Sequence, residues 1–198
     1  MTDQATTALD GLRQLGTPAE LRAAAKQGVG PAMRPRVNSH VHLPPNFSAF
    51  VTVQQAVDLA SAQGVGVVGV SNYYDYRVYG DFVERARRAG IFPLFGLEII
   101  SMIDTLRDAG VLINDPGNPG KTYICGKGIT RFTDDRMSQR GIGLLNTIRR
   151  NDTQRMAAMI AKVEATFAAR GLPTGTTESS VIDMIVRRHG CARDSVYI

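Results

Sequence analysis

Two of the three histidines in the chain, His40 and His42, lie two residues apart in the segment VNSHVHLPP. The imidazole ring is a common ligand of zinc, iron and manganese in proteins. Side chains at positions i and i+2 of a strand point to the same face, so this spacing would direct both rings to one place. The pair also fits two ordinary side chains at the end of a strand, and the residues around it must decide between these interpretations.

A carboxylate is the third candidate ligand. Glu98 follows the apolar segment IFPLFGL, which reads as a buried strand. A glutamate at a strand end can also cap the next helix, so Glu98 alone is weak evidence for a site. Together, His40, His42 and Glu98 form a plausible set of ligands for one divalent ion, with Zn, Mn, Fe and Mg all left open.

Four further polar residues fall near predicted strand ends and are candidates for a substrate pocket: Asn38, Asn72, Tyr73 and Lys127. Each has an alternative interpretation. Tyr73 belongs to the aromatic segment NYYDYRVY, whose rings could simply pack over the sheet, and Lys127 could be a solvated lysine.

The elements that must position these residues alternate between strand and helix patterns. Strands are predicted in RVNSHVH, VGVVGVS, IFPLFGLEI and KTYICGKGI, with the third ending at Glu98 and the fourth near Lys127. One helix is predicted to begin at the Thr52–Gln55 capping box and to end at Gly64. A second should be capped by Asp81, with Glu84 completing the box, and should end at Gly90. This order predicts parallel βαβ units, in which functional groups gather where strands end.

The two ends of the chain have a different pattern. Residues 1–30 read as two short helices, the second capped by Thr17, and a Gly- and Pro-rich linker follows. We therefore expect an N-terminal helical extension over residues 1–35 and an α/β domain over residues 36–198. The last part reads as two helices, one with an apolar stripe from Met156 to Phe167 and one between Thr177 and Gly190.

Composition narrows the functional classes. Of the 198 residues, 43% are hydrophobic and 21% are charged, which is typical of a globular protein. The sequence has neither a secretory signal nor an apolar run long enough for a membrane span, so we expect a cytoplasmic protein without a membrane partner. Cys125 and Cys191 suggest two reduced thiols.

The charged residues that give the net charge of +5 are scattered along the chain, which does not indicate a nucleic-acid partner. The segment PGKTY lacks the first glycine of a phosphate-binding loop, since that position is Asp115.

Three segments, VNSHVH, VSNYYD and GIFPLFGLE, resemble in order the motifs of the PHP (polymerase and histidinol phosphatase) family. The resemblance covers roughly residues 36–130. It implies a distorted seven-stranded (β/α) barrel with a metal cluster at the strand ends and metal-dependent hydrolysis of phosphate esters. Carried over to this chain, His40 and His42 match the first-motif ligands and Glu98 the bridging carboxylate. A metal-activated water would be the nucleophile, and the substrate a small anion.

The chain departs from the family pattern at several positions. Asn38 and Asn72 stand where the family has aspartates, and Tyr73 stands where it has a ligating histidine. After Glu98 the next histidine is His189, so we expect one metal ion rather than a cluster. The barrel is also expected to be short at its C-terminal end. The prediction is therefore a divergent phosphoesterase, and the alternatives are a PHP-like binding or structural protein that has lost catalysis and a fragment of a longer enzyme.

Overall fold

The computed structural model describes residues 16–27, 35–129, 138–193 and 196. These residues form a mixed α/β structure with a curled, half-barrel sheet of four strands and six helices. The strands are β1 (Arg36–Val41), β2 (Val65–Val70), β3 (Phe92–Met102) and β4 (Lys121–Lys127). The helices are α1 (Pro18–Lys26), α2 (Val53–Ala62), α3 (Tyr79–Arg88), α4 (Asp104–Asp108), α5 (Gln139–Ala168) and α6 (Glu178–His189). The helix predicted before Gly16 and most of the predicted linker lie outside the described residues.

The first three strands are parallel and adjacent, as the alternating pattern predicts. β1 pairs with β2, for example at Asn38 and Val68, and β2 pairs with β3, for example at Val70 and Phe95. α2 and α3 connect consecutive strands, so β1 to β3 form two βαβ units. The carboxyl ends of these strands therefore share one edge of the sheet.

The fourth strand corrects the prediction of a continuing parallel barrel, because β4 runs antiparallel to β3. β3 does not end at Glu98 but continues to Met102; residues 92–95 pair with β2, and residues 96–102 pair with β4. The connection from β3 to β4 contains one short helix, α4. The Ile103 N–H donates to the Gly120 carbonyl at 2.9 Å, so the two ends of the connection lie side by side. A connection whose ends lie side by side returns the chain next to β3 in the opposite direction. The sheet of the described residues has four strands, whereas the resemblance implies a barrel of seven.

Most predicted helix ends are confirmed. The hydroxyls of Thr17, Thr52 and Thr177 accept hydrogen bonds from the first turns of α1, α2 and α6. Gly64 and Gly190 adopt left-handed conformations after α2 and α6, with φ of 67° and 61°.

The predicted start of α3 is wrong. This helix begins at Tyr79, two residues before Asp81, and has no side-chain cap. Asp81 instead binds Arg85 at 2.8 Å, and Glu84 lies 3.7 Å from Arg88. The reason is tertiary: Tyr79 is buried, and its hydroxyl donates to the Gly96 carbonyl at 2.7 Å, which holds the start of the helix against β3.

The hydrophobic core lies between the sheet and the helices α2 and α3. Val68 and Val70 of β2 meet Phe82 and Val83 of α3 there, and Leu43 packs into the same cluster. Because side chains alternate along a strand, His40 and Glu98 lie on the opposite face from Val41 and Phe95, which belong to or pack against this core.

α5 is longer than predicted and largely uncovered. It begins after Ser138, whose hydroxyl accepts from the Gly141 N–H, and Leu145 is its one buried residue among those described. The predicted apolar stripe is present, but Met159, Val163 and Phe167 are each 45–52% exposed. No described helix is both long enough and apolar enough to cross a membrane.

Candidate metal centre

The two histidines lie at the carboxyl end of β1. His40 is in the strand and His42 is the first residue after it, and their rings lie 5.0 Å apart. The Asn38 side chain accepts from the His40 N–H at 3.2 Å, at a point where the register of β1 on β2 shifts. The Ser48 hydroxyl donates to the His42 carbonyl at 2.6 Å and so holds the chain after the strand. The backbone on both sides of the pair is therefore fixed.

Glu98 reaches the same place from the middle of β3. Its N–H donates to the Asn72 carbonyl at 3.1 Å, and its carbonyl accepts from the Tyr74 N–H at 3.3 Å. The loop after β2 is thereby attached to β3 and packs beside the glutamate, which is only 5% exposed. A buried carboxylate requires compensating partners, and the two imidazole rings are the partners found here.

Three potential ligand atoms converge on one point. Glu98 Oε2 lies 2.9 Å from His40 Nε2 and 3.1 Å from His42 Nε2, and the two nitrogens are 3.2 Å apart. Ligands of a tetrahedral Zn²⁺, with bonds of about 2.0–2.1 Å, lie about 3.3 Å from one another. If each Nε2 carried a proton and donated it to Glu98, the two nitrogens, 3.2 Å apart, would face each other as two donors. One cation would satisfy all three lone pairs, so the donor set fits a divalent ion.

His42 has the protonation state that a metal ligand needs. Burial lowers the pKa of His42, while the nearby Glu98 acts in the opposite direction. The ring is therefore neutral at neutral pH and has a free lone pair. Its Nδ1 is buried without a hydrogen-bond partner in the described part of the chain, so the outer-shell acceptor usual for a ligating histidine is missing there.

Tyr73 lies against His42. Its ring stacks on His42 at 4.6 Å between centroids, and burial raises the pKa of Tyr73 to about 12. The hydroxyl is therefore a hydrogen-bond donor rather than an anion at neutral pH. Asn46 binds the Tyr73 backbone twice, accepting from its N–H at 2.9 Å and donating to its carbonyl at 3.0 Å. Sequence reasoning missed Asn46, for which its place in the PPN turn is the one available signal.

Asn72 is fully buried and turned toward the chain after His42. Its side chain accepts from the Leu43 N–H at 2.7 Å and donates to the Leu43 carbonyl at 2.9 Å. Its own N–H donates to the Tyr79 hydroxyl at 2.9 Å. Asn72 thus positions the backbone next to His42, and its predicted contact with a substrate stays a prediction, as does that of Asn38.

Lys127 crosses β3 to reach the other strands. Its ammonium donates to the Ser71 hydroxyl at 2.5 Å and to the Ser39 carbonyl at 2.9 Å. The crossing occurs at Gly96, where a Cβ would lie 2.6 Å from Ser71 Oγ, so a side chain there would obstruct it. Burial lowers the pKa of Lys127, with Glu98 opposing that effect. The two hydrogen bonds hold the Lys127 amine at the ends of β1 and β2, where it interacts with Glu98.

Cys125 is a neighbour of the site that sequence reasoning missed. It lies opposite Glu98 in the β3–β4 pairing, and its Sγ is 3.9 Å from His40 Nδ1. Burial, reinforced by Glu98, raises the pKa of the Cys125 thiol. No local sequence pattern identifies this neighbour, because it follows from the antiparallel direction of β4. Both cysteines are free thiols, as predicted.

Comparisons with known proteins give structural neighbours only. No family model matches the chain. No curated protein matches it either. An amidohydrolase from Chromobacterium violaceum, solved with bound sulfate and no metal, aligns with a TM-score of 0.49 and 21% identity over 66% of this chain and 39% of its own. A proposed metal-dependent phosphoesterase from Bifidobacterium adolescentis aligns with a TM-score of 0.46 and 14% identity over 83% of this chain and 54% of its own. The chain thus spans about half or less of the length of these two proteins.

Proposed function

We propose that this protein is a metal-dependent hydrolase of the PHP type that acts on a phosphate ester. The observation that carries the proposal is the convergence of His40, His42 and Glu98, whose ligand atoms lie 2.9–3.2 Å apart. These three residues would hold one divalent ion.

Each nearby residue has a defined part in this proposal. A divalent ion bound there would lower the pKa of a water molecule, which is the proposed nucleophile, and would offset the negative charge of a phosphate ester. Lys127, held by Ser39 and Ser71, adds a fixed positive charge that favours an anionic substrate. Tyr73 keeps its proton and can donate a hydrogen bond at the edge of the site. The burial of Glu98 and the stacking of the Tyr73 ring on His42 limit the access of water to one side of the centre.

Metal binding is the first test. The full chain is stripped with a chelator and titrated with Zn²⁺ and Mn²⁺ by calorimetry, and bound metal is counted by mass spectrometry. We expect one ion per chain, with affinity at least about tenfold weaker in His40→Ala and Glu98→Gln, because each substitution removes a ligand. His189→Ala is the matched control, because His189 Nδ1 contacts the Val51 carbonyl at 3.0 Å and is not part of the cluster. Absence of binding, or equal binding in His40→Ala, would contradict the proposal.

Catalysis is tested separately with a panel of phosphate esters in the presence of Mn²⁺, Zn²⁺ or Mg²⁺. We expect turnover in the native chain that is lost in His40→Ala and retained in His189→Ala.

A specific observation favours one alternative, a metal-binding protein without catalysis. The second family motif contributes no ligand here, because both polar atoms of the Asn72 side chain bind Leu43 and Tyr73 stacks on His42. Metal binding that is lost in His40→Ala, without turnover of any ester in the panel, would support this alternative over the hydrolase.

A further inference from the structure

Phe47 places an exposed aromatic ring beside the candidate metal centre. It is 79% exposed, the highest value among the large apolar residues of the described chain. The centre of its ring lies 6.2 Å from that of His42 and 6.4 Å from that of Tyr73. We propose that the substrate of the metal centre carries an aryl group next to its phosphate, and that this group stacks on Phe47. The inference rests on the proposed function and specifies its substrate class.

The loop that carries Phe47 is fixed on both sides of this residue. Before it, the Asn46 side chain accepts from the Tyr73 N–H at 2.9 Å and donates to the Tyr73 carbonyl at 3.0 Å. After it, the Ser48 hydroxyl donates to the His42 carbonyl at 2.6 Å. The two neighbours of Phe47 are therefore bound to the two residues beside which its ring lies. A loop that is already ordered loses little conformational entropy when a ligand binds.

The orientation of the Phe47 ring leaves it open to a ligand. Its plane is inclined by 75° to the His42 ring and by 54° to the Tyr73 ring, whereas those two rings stack on each other at 24°. Neither ring stacks on Phe47, and its high exposure leaves most of its surface in solvent. An incoming aromatic ring could therefore approach Phe47 in the offset or edge-to-face geometry that aromatic pairs prefer.

The position of Phe47 suits a ring attached directly to the phosphate. His42 is both a candidate ligand and one of the two rings beside Phe47. Aromatic pairs interact when their centroids are about 4.5–7 Å apart, so the influence of Phe47 extends only to groups near the centre. The part of a bound phosphate ester that lies close to the phosphate is therefore the part that can meet this ring.

Exposure alone would not support this inference, because single apolar residues are common on protein surfaces. Phe92 and Phe167 are also exposed, at 43% and 45%. Phe92 begins β3 at the amino end of the strand, and Phe167 lies in the last turn of α5. Phe47 is distinguished from them by a fixed loop and by its contact with a candidate metal ligand.

The test compares phenylphosphonate with methylphosphonate, whose carbon–phosphorus bonds are not esters and resist hydrolysis. Each is titrated by calorimetry into the Zn²⁺-loaded full chain at constant ionic strength. We expect phenylphosphonate to bind about tenfold more tightly, because stacking on Phe47 is added to the same phosphonate contact. Equal affinities would overturn the inference and leave the proposed function standing. Failure of both ligands to bind would contradict the proposed function, and the inference with it.

The variants test whether the preference depends on the ring of Phe47. Phe47→Ala should bring the ratio of the two affinities close to one. Phe47→Tyr keeps a ring and should keep the ratio, whereas Phe47→Leu keeps an apolar side chain without a ring and should lose most of it. Phe167→Ala is the matched control, because it removes an exposed phenylalanine outside the centre. A ratio that stays near tenfold in Phe47→Ala, or that falls equally in Phe167→Ala, would overturn the proposal.

Discussion

Asn72 shows at the scale of one residue how the surrounding backbone favours one side chain over another. The Leu43 backbone presents both an N–H and a carbonyl to its side chain, at 2.7 Å and 2.9 Å. An amide can accept from the first and donate to the second, whereas an ionised carboxylate can only accept. The site is fully buried, so an aspartate would place a negative charge against the Leu43 carbonyl. The asparagine is therefore explained by the backbone next to His42.

We expect Asn72→Asp to lower the free energy of unfolding by about 2–3 kcal/mol at neutral pH, because it loses a buried hydrogen bond and adds a buried charge. Urea denaturation measures this change.

Asn114→Asp is the matched control for that substitution. Asn114 makes the same pair of bonds to the backbone of Tyr123, at 3.1 Å and 3.4 Å, but in an exposed setting. Its substitution should change the free energy by less than about 0.5 kcal/mol. Equal losses in the two variants would show that burial is not the reason for asparagine at position 72.

At the scale of the elements, the close approach of β1 to β2 sets the position of the histidines. A Cβ atom at Gly69 of β2 would overlap the carbonyl oxygen of Ser39, which lies between the register points Asn38 and Val41. Glycine at this position lets β1 pack against β2 one residue before His40. The pairing of β1 with β2 therefore determines where His40 and His42 lie.

We expect Gly69→Ala to lower the free energy of unfolding by about 1–3 kcal/mol, because the added methyl forces the two strands apart. It should also weaken Zn²⁺ binding in the titration, since His40 moves with β1.

Gly143→Ala is the control with the same chemical change. Gly143 lies inside α5, and a Cβ there would meet nothing within 4 Å. This substitution should raise the free energy of unfolding by about 0.5–1 kcal/mol through helix propensity and leave metal affinity unchanged. A Gly69→Ala variant as stable as the native chain would contradict the proposed packing of β1.

At the scale of the whole molecule, α5 meets the rest of the described structure over a narrow contact. Leu145 is 6% exposed, whereas its neighbour Leu144 is 59% exposed. Arg149, one turn further on, binds the loop after β2 through the Tyr74 carbonyl. Leu145 and Arg149 therefore attach the first half of α5 to the rest of the described structure.

We expect Leu145→Ala to lower the free energy of unfolding by about 2–5 kcal/mol, because it empties a buried position. Leu144→Ala, the adjacent control, should change the free energy by no more than about 0.5 kcal/mol. The two variants are compared by urea denaturation. Similar effects of the two substitutions would show that α5 does not pack through the face that carries Leu145.

Much of the local structure could be predicted from the sequence, because it depends on neighbours along the chain. The spacing of two residues between His40 and His42 places both on one face of a strand, and the structure brings them together with Glu98. Thr17, Thr52 and Thr177 cap helices because each hydroxyl lies beside the N–H of the third residue that follows. The apolar run before Glu98 likewise indicated a strand buried beside β2.

Features that join distant parts of the chain were decided only by the tertiary structure. The antiparallel direction of β4 brings Cys125 beside Glu98, and no pattern within β4 specifies which way it pairs. The buried hydroxyl of Tyr79 moves the start of α3 away from Asp81. Arg77 and Arg149 each lie 3.8 Å from Asp75, although 71 other residues separate them in the sequence. The sequence by itself determined the histidine pair and the strands and helices around it, because side-chain alternation and helix capping depend on nearby residues. The neighbours of the histidines from distant parts of the chain depend on which strands and helices pack together.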